Sequence, residues 1–230
     1  MKKCALVICA AALCGCSSLF GPSLPADVDA KWCSIGTSIT WYNSHPNRFK
    51  EGYQTRVLKK LKFREFANVG VNGGCVSSAP KSVVPADVYT IEHGVNDWGH
   101  SVRPGTIDDY ANDTANGTFA ATYRKLIDRI REVNPKAKVV LCTPRKAYGF
   151  GSYLPKAGGE PKNGIYLEEY AKVVREIAAR EGFPVADFYA NCGENEELPS
   201  LSIDVALHPN DAGYERMADE LVSALVEAIW

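Results

Sequence analysis

Apolar positions along the chain alternate between two periods. Short runs rich in apolar residues, Trp32 to Ile35, Glu65 to Val71, Val88 to Ile91, Lys138 to Cys142 and Phe183 to Phe188, predict five strands. Between and after them the spacing turns helical. Phe49 to Lys62 has this period; so do Phe119, Tyr123, Leu126, Ile127, Ile130 and Val133, with Pro135 as a stop. Two further stripes follow, Leu167, Tyr170, Val173, Val174 and Ile177, then Tyr214, Met217, Leu221, Leu225 and Ile229. Each stripe reads as core packing rather than a cofactor box. Strands alternating with helices of this length predict an α/β protein with a mainly parallel sheet covered on both faces.

The first residues follow neither period. Lys2 and Lys3 precede an apolar stretch from Ala5 to Leu13, which leads into Leu13-Cys14-Gly15-Cys16 and Ser17-Ser18. A charged start, a short apolar centre and a small-residue cleavage site make a secretory signal, too short for a membrane-spanning helix. Leu13 to Cys16 also resembles the lipobox of bacterial lipoproteins, which implies that Cys16 becomes a lipidated N-terminus. A plain signal cut nearby, with Cys16 incidental, is the alternative. Ser17 in place of aspartate implies, by the same resemblance, sorting to the outer membrane of a Gram-negative cell. The expected division is a signal over 1–15, a tether over 16–29 containing Pro22 and Pro25, and one domain over 30–230.

Composition narrows the class. About 215 residues beyond the leader suit one domain with a substantial core. Hydrophobic residues at 46% and charged residues at 23% are those of a soluble globular protein. The formal charge is −1, and it becomes more negative once Lys2 and Lys3 leave with the signal. No Lys/Arg run supplies a basic field, which argues against nucleic acid as a partner. Of the eight cysteines, Cys33, Cys75, Cys142 and Cys192 lie beyond the leader. Four thiols in an oxidising compartment allow three pairings, and without a CxxC element they make no zinc site. Cys33 and Cys142 fall in predicted buried strands, where a free cysteine serves as a small apolar filler.

A parallel sheet binds ligands at the carboxyl ends of its strands. Chemically suited residues gather there. Ser38, within Gly36-Thr37-Ser38-Ile39-Thr40, follows the first strand, Gly73 the second and Asn96 the third, and His208 comes after the fifth. A serine hydroxyl is inert near neutral pH unless a base takes its proton and donors stabilise the oxyanion that its attack creates. Singly, these residues have plain roles: Ser38 as a helix cap, Gly73 as a positive-φ turn, Asn96-Asp97 as an Asx turn, His208 as a loop histidine. Their convergence at four strand ends is what points to a site. His45, His93 and His100 lack a matching context.

Gly36-Thr37-Ser38, Asn68-Val69-Gly70-Val71-Asn72-Gly73, Gly94-Val95-Asn96-Asp97 and His208-Pro209-Asn210 with Gly213 resemble, in order, the four sequence blocks of the SGNH (GDSL-type) hydrolases. The resemblance spans most of the mature chain. It implies a flavodoxin-like three-layer α/β/α sandwich with a mainly parallel five-stranded sheet, and ester hydrolysis through an acyl-enzyme. By position, Ser38 is the nucleophile and His208 the base. The Ser38 and Gly73 N–H groups and the Asn96 amide are the oxyanion donors. This chemistry requires no metal or organic cofactor.

The chain departs from the family twice. Thr37 stands where the family has aspartate. The family's orienting aspartate lies three residues before the histidine, a position held here by Val205, while Asp204 lies four before. In a turn, both spacings point to roughly the same side. Asp204 is therefore read as the third catalytic member, with a backbone carbonyl as the alternative partner of the imidazole. The expected substrate is a small acyl ester, acetyl above all, on carbohydrate, because an exported esterase without a long hydrophobic lid suits short acyl groups on polymers. Trp98, Tyr148 and Tyr153 either stack on sugar rings or pack their own loops. Lipase, lysophospholipase or thioesterase activity is the enzymatic alternative. A catalytically impaired glycan-binding lipoprotein is the alternative outside enzymes, supported by Thr37 and the displaced Asp204.

Overall fold

The computed structural model describes residues 27–41, 51–112, 117–147, 164–193, 197–203 and 207–230. Five strands form one sheet: β1 (Asp27–Gly36), β2 (Lys62–Asn68), β3 (Val88–Glu92), β4 (Lys138–Cys142) and β5 (Val185–Ala186), in the order β2-β1-β3-β4-β5. All four neighbouring pairs are parallel. The fold is thus an α/β sandwich of three layers, with the strand order of a flavodoxin-like sheet.

Period-two alternation sends successive side chains of each strand to opposite faces. On one face Cys33, Ile35, Tyr89, Ile91, Val139 and Leu141 pack under α5 (Phe119–Val133) and α6 (Leu167–Glu181). On the other, Val28, Trp32, Val88, Val140 and Cys142 pack under α2 (Tyr53–Lys60) and α8 (Asp211–Ile229). The helical stripes supply both covers; Phe119, Tyr123, Tyr170, Tyr214 and Met217 have no accessible surface. The Trp32 indole N–H, buried in the second layer, donates to Thr90 Oγ1 at 3.0 Å.

Boundaries moved where side chains compete for the backbone. β1 begins at Asp27, three residues before the expected domain start, and Val28 is buried, so Asp27 to Asp29 belong to the sheet rather than to a tether. β2 ends at Asn68, whose Oδ1 accepts from the Gly70 N–H at 2.9 Å and turns the chain. β5 stops at Ala186 because Asp187 caps α7 (Phe188–Asn191), accepting from the Ala190 N–H. Short helices outside the apolar stripes complete the fold: α1 (Ser38–Trp41), α3 (Val95–Gly99) and α4 (Ile107–Asn112), with a 3₁₀ segment at Val76–Ser82 and another at Leu198–Leu201. Cys33, Cys75, Cys142 and Cys192 are free thiols. Among the described residues, no helix is long and apolar enough to cross a membrane.

Candidate active site

The order β2-β1-β3 makes β1 the strand at which connections leave in opposite directions, and the crevice of such a sheet opens beyond the carboxyl ends there. Ser38 lies two residues past the end of β1 and opens α1. The turn is tight. A Cβ on Gly36 would stand 2.1 Å from Thr40 Oγ1 and 2.9 Å from the Glu92 carbonyl oxygen, so only glycine fits between the turn and β3.

Ser38 Oγ lies 3.0 Å from His208 Nε2, and both side chains are buried to within a few per cent. This distance joins segments 170 positions apart. Three features hold the imidazole there. Asn210 caps α8 by accepting from the Gly213 N–H, the Ile203 N–H donates to the His208 carbonyl at 2.9 Å, and Ser202 bridges Pro209. Arg145, buried at the end of β4, donates to Ser202 Oγ and the Leu201 carbonyl and so pins this turn to the sheet. The Tyr214 hydroxyl, one turn into α8, donates to the Ile39 carbonyl at 3.0 Å, tying the histidine's helix to the serine's.

Gly73 is exposed in a left-handed conformation, φ +71°, with nothing within 4 Å of where a Cβ would lie. Its main chain therefore borders open space. Asn96, buried in α3, donates its amide to the Gly74 carbonyl at 3.0 Å. The Asp97 carboxylate accepts from the Gly94 N–H at the start of α3 and reaches across to the Val76 N–H at 3.1 and 3.3 Å. Asn96 and Asp97 thus join the loop after β3 to the loop after β2. Ser38, Gly73, Asn96 and His208 all sit at one end of the sheet, as the strand ends predicted. Asp204 and Cys16 lie outside the described residues, as do Tyr148 and Tyr153. Trp98 is 3% exposed and donates its indole N–H to the Ile165 carbonyl, so it packs its own loops and offers no face to a sugar.

One acidic residue was not anticipated. Glu92, the last residue of β3, is buried directly beneath the serine turn, where its Oε2 accepts from the Thr37 N–H (3.1 Å), Thr37 Oγ1 (2.8 Å) and Thr40 Oγ1 (3.1 Å). The signal was an acidic residue closing an otherwise apolar buried strand, which requires polar partners. Burial pushes its carboxyl up to about 7, opposed by the Thr37 and Thr40 donors. Tyr53, Tyr123, Cys142 and Asp97 are the other titratable groups whose charges act with it. Burial likewise raises Asp97 to about 7 and lowers His93 to about 4.

Comparisons with known proteins bear on this geometry. A family model described as GDSL-like lipase/acylhydrolase matches residues 34–216. Among solved structures, a possible lipase from Chitinophaga pinensis is 29% identical, with a TM-score of 0.73 over 86% of this chain and 98% of that one. A protein from Lactobacillus plantarum shares the fold at 21% identity and a TM-score of 0.74, covering 88% of this chain and 100% of its own. So does a member of the lipolytic protein G-D-S-L family from Veillonella parvula, at 18% identity and 0.60 over 85% and 98%. A search of curated protein sequences found no match. The match covers the segments that carry Ser38, Gly73, Asn96 and His208, and the chain belongs to the GDSL-like lipase/acylhydrolase family, enzymes that hydrolyse esters.

Proposed function

We propose that the protein is a serine esterase that removes small acyl groups, acetyl above all, from carbohydrate through an acyl-enzyme on Ser38. The observation that carries this reading is the 3.0 Å contact between Ser38 Oγ and His208 Nε2 at the switch point of the sheet. His208 Nε2 takes the hydroxyl proton as Oγ bonds to the ester carbonyl carbon. The carbonyl oxygen becomes an oxyanion within reach of the Ser38 and Gly73 N–H groups and the Asn96 amide, each worth roughly 3 kcal/mol of barrier lowering. Collapse of the tetrahedral intermediate breaks the ester C–O bond, and the departing alcohol takes the proton from His208. Water then repeats the sequence on the acyl-enzyme, releasing the acid and restoring Ser38. Asp204 is proposed to hold the outer ring nitrogen of His208.

Preference for a short acyl group rests on the surroundings. Among the described residues the exposed large apolar side chains are Val71, Tyr166, Ile203 and Trp230. Two of them are tied by their main chains to the segments that carry Ser38 and His208: the Val71 N–H bonds to the Gly36 carbonyl, and the Ile203 N–H to that of His208. A short acyl group needs little apolar cover, whereas a long chain needs a continuous apolar channel. The N-terminal signal pattern supports export and attachment to a membrane through lipid on Cys16, which mass spectrometry of the membrane-extracted protein would detect.

Hydrolysis of a chromogenic acetate ester by wild type and Ser38→Ala tests the chemistry, and equal rates would remove Ser38 from it. Acetate release from acetylated xylan, pectin and peptidoglycan tests the substrate class. Cleavage of long-chain esters without acetate release from any polymer would overturn the carbohydrate reading.

A further inference from the structure

Beneath the serine turn, hydrogen bonds run in one direction. Gln54 Nε2 donates to Ser34 Oγ (3.4 Å), Ser34 Oγ pairs with the Tyr53 hydroxyl (3.0 Å), Tyr53 with Thr40 Oγ1 (2.8 Å), and Thr40 Oγ1 donates to Glu92 Oε2 (3.1 Å). Because Thr40 has one hydroxyl proton and gives it to Glu92, it accepts from Tyr53, which then accepts from Ser34. A second path arrives from Thr37, whose N–H and Oγ1 both donate to Oε2 while Oγ1 accepts from the Ile39 N–H at 3.2 Å. Every member of the network is buried. All donors terminate on one carboxyl oxygen of a β3 residue; the other oxygen, Oε1, has no hydrogen-bond partner among the described residues.

This arrangement bears on the nucleophile. Thr37 and Thr40 bracket Ser38 at one residue before and two after. Among the described residues their shared side-chain anchor is Oε2, so β3 helps to set the backbone angles that aim Ser38 at His208, beside the Gln54 and Asn68 amides on the Thr40 carbonyl. We propose that Glu92 is a positioning residue for Ser38: its carboxylate clamps Thr37 and Thr40 onto the end of β3 and so holds the nucleophile turn in the geometry that reaches His208. The acid comes from the strand in a chain whose turn carries Thr37 where its family resemblance expects aspartate. Charge-assisted bonds are about twice as strong as neutral ones, which suits a clamp that must not yield by an ångström.

The inference rests on the reading of Ser38 as nucleophile, and its test separates the two. Wild type, Glu92→Gln, Thr37→Val and the exchange variant Thr37→Asp/Glu92→Gln are compared above pH 8, where Glu92 is ionised, on a chromogenic acetate ester, and by the rate at which a fluorophosphonate labels Ser38. Circular dichroism and thermal melting verify the fold of each. Glu92→Gln keeps an acceptor oxygen but loses the charge, and is expected to lower kcat and the labelling rate roughly 10- to 100-fold with KM within threefold. The exchange variant returns a carboxylate to the turn with an amide donor opposite it, and is expected to recover at least fivefold over Glu92→Gln. If Glu92→Gln does not fold, Thr37→Val carries the same expectation at the lower end of the range. A kcat within twofold of wild type, a loss confined to KM, or an exchange variant no better than Glu92→Gln overturns the role of Glu92 while leaving Ser38 in place. A wild-type protein without Ser38-dependent turnover or labelling overturns both.

Discussion

The side-chain amide of Asn96 donates to the carbonyl of Gly74 at 3.0 Å, so the residue after β3 is oriented by the loop after β2. An amide has two N–H groups. The bond to Gly74 holds one and fixes the plane of the other. Asn96→Ala removes both, and is expected to lower kcat on an acetate ester by roughly 100- to 1,000-fold with little change in KM. It also strands the buried Gly74 carbonyl, costing about 1–3 kcal/mol of stability, which urea unfolding would register separately. A folded variant retaining more than a fifth of wild-type kcat would remove Asn96 from the oxyanion site.

In the proposed mechanism Ser38 and His208 act on one proton, so their removals should not add. Ser38→Ala and His208→Ala are each expected to lower kcat by several orders of magnitude, and the double variant to be about as slow as either single one. Steady-state rates at saturating ester, measured for all four proteins, check this. Two independent losses that multiply would mean that the 3.0 Å contact is not used in turnover.

Most of the sheet was legible because its signals are local. The runs of β3 and β4 are rich in apolar and β-branched residues, and their predicted and observed spans differ by at most one residue. Asn68 and Asp187 blurred the ends of β2 and β5, since a side chain that turns or caps the backbone looks like any polar residue in sequence. The helices α1, α3, α4 and α7 are too short to show a helical stripe. Ser38, Gly73, Asn96 and His208 could be singled out as candidates because few residue types at a strand end suit such chemistry. Glu92 was not, because its role is defined by Thr37 and Thr40 across a strand boundary. Sequence left Trp98 open between stacking on a sugar and packing its own loops, because the Ile165 carbonyl that accepts its N–H and decides the matter lies 67 positions away.

The four free thiols should be nearly inert in the folded protein. Burial pushes Cys33 and Cys192 up to about 12 and raises Cys142 well above the usual thiol range, while Cys75, partly exposed, is raised to about 12 by burial and the Asp97 charge. The thiolate is the reacting form. Iodoacetamide at pH 8, followed by peptide mass spectrometry, is expected to modify Cys75 slowly and leave Cys33, Cys142 and Cys192 untouched until denaturant is added. Rapid native labelling of Cys33, Cys142 or Cys192 would show that the two core layers open far more readily than their packing implies.

Three buried groups beneath the site give stability an unusual dependence on pH. Glu92 and Asp97 are raised from 4.5 and 3.8 to about 7 by burial, so the stability they contribute is complete below their unfolded values and lost as pH rises through 7. His93 is lowered from 6.5 to about 4, again by burial, so its contribution is present above 6.5 and lost as pH falls through 4. Between pH 4.5 and 6.5 the folded protein therefore holds protons on Glu92 and Asp97, while the unfolded chain holds one on His93. The folded state binds about one proton more, and these groups make stability fall by roughly 1 kcal/mol per pH unit as pH rises. Glu92→Gln removes one folded-state proton and should flatten that part of the slope. His93→Gln removes the unfolded-state proton and should steepen it. Urea midpoints for the three proteins, taken across that window and again above pH 8 where the Glu92 slopes converge, isolate these groups from all others. Parallel curves for wild type and Glu92→Gln would mean that the carboxylate beneath Ser38 stays ionised throughout, stabilised by its three donors more than it is penalised by burial.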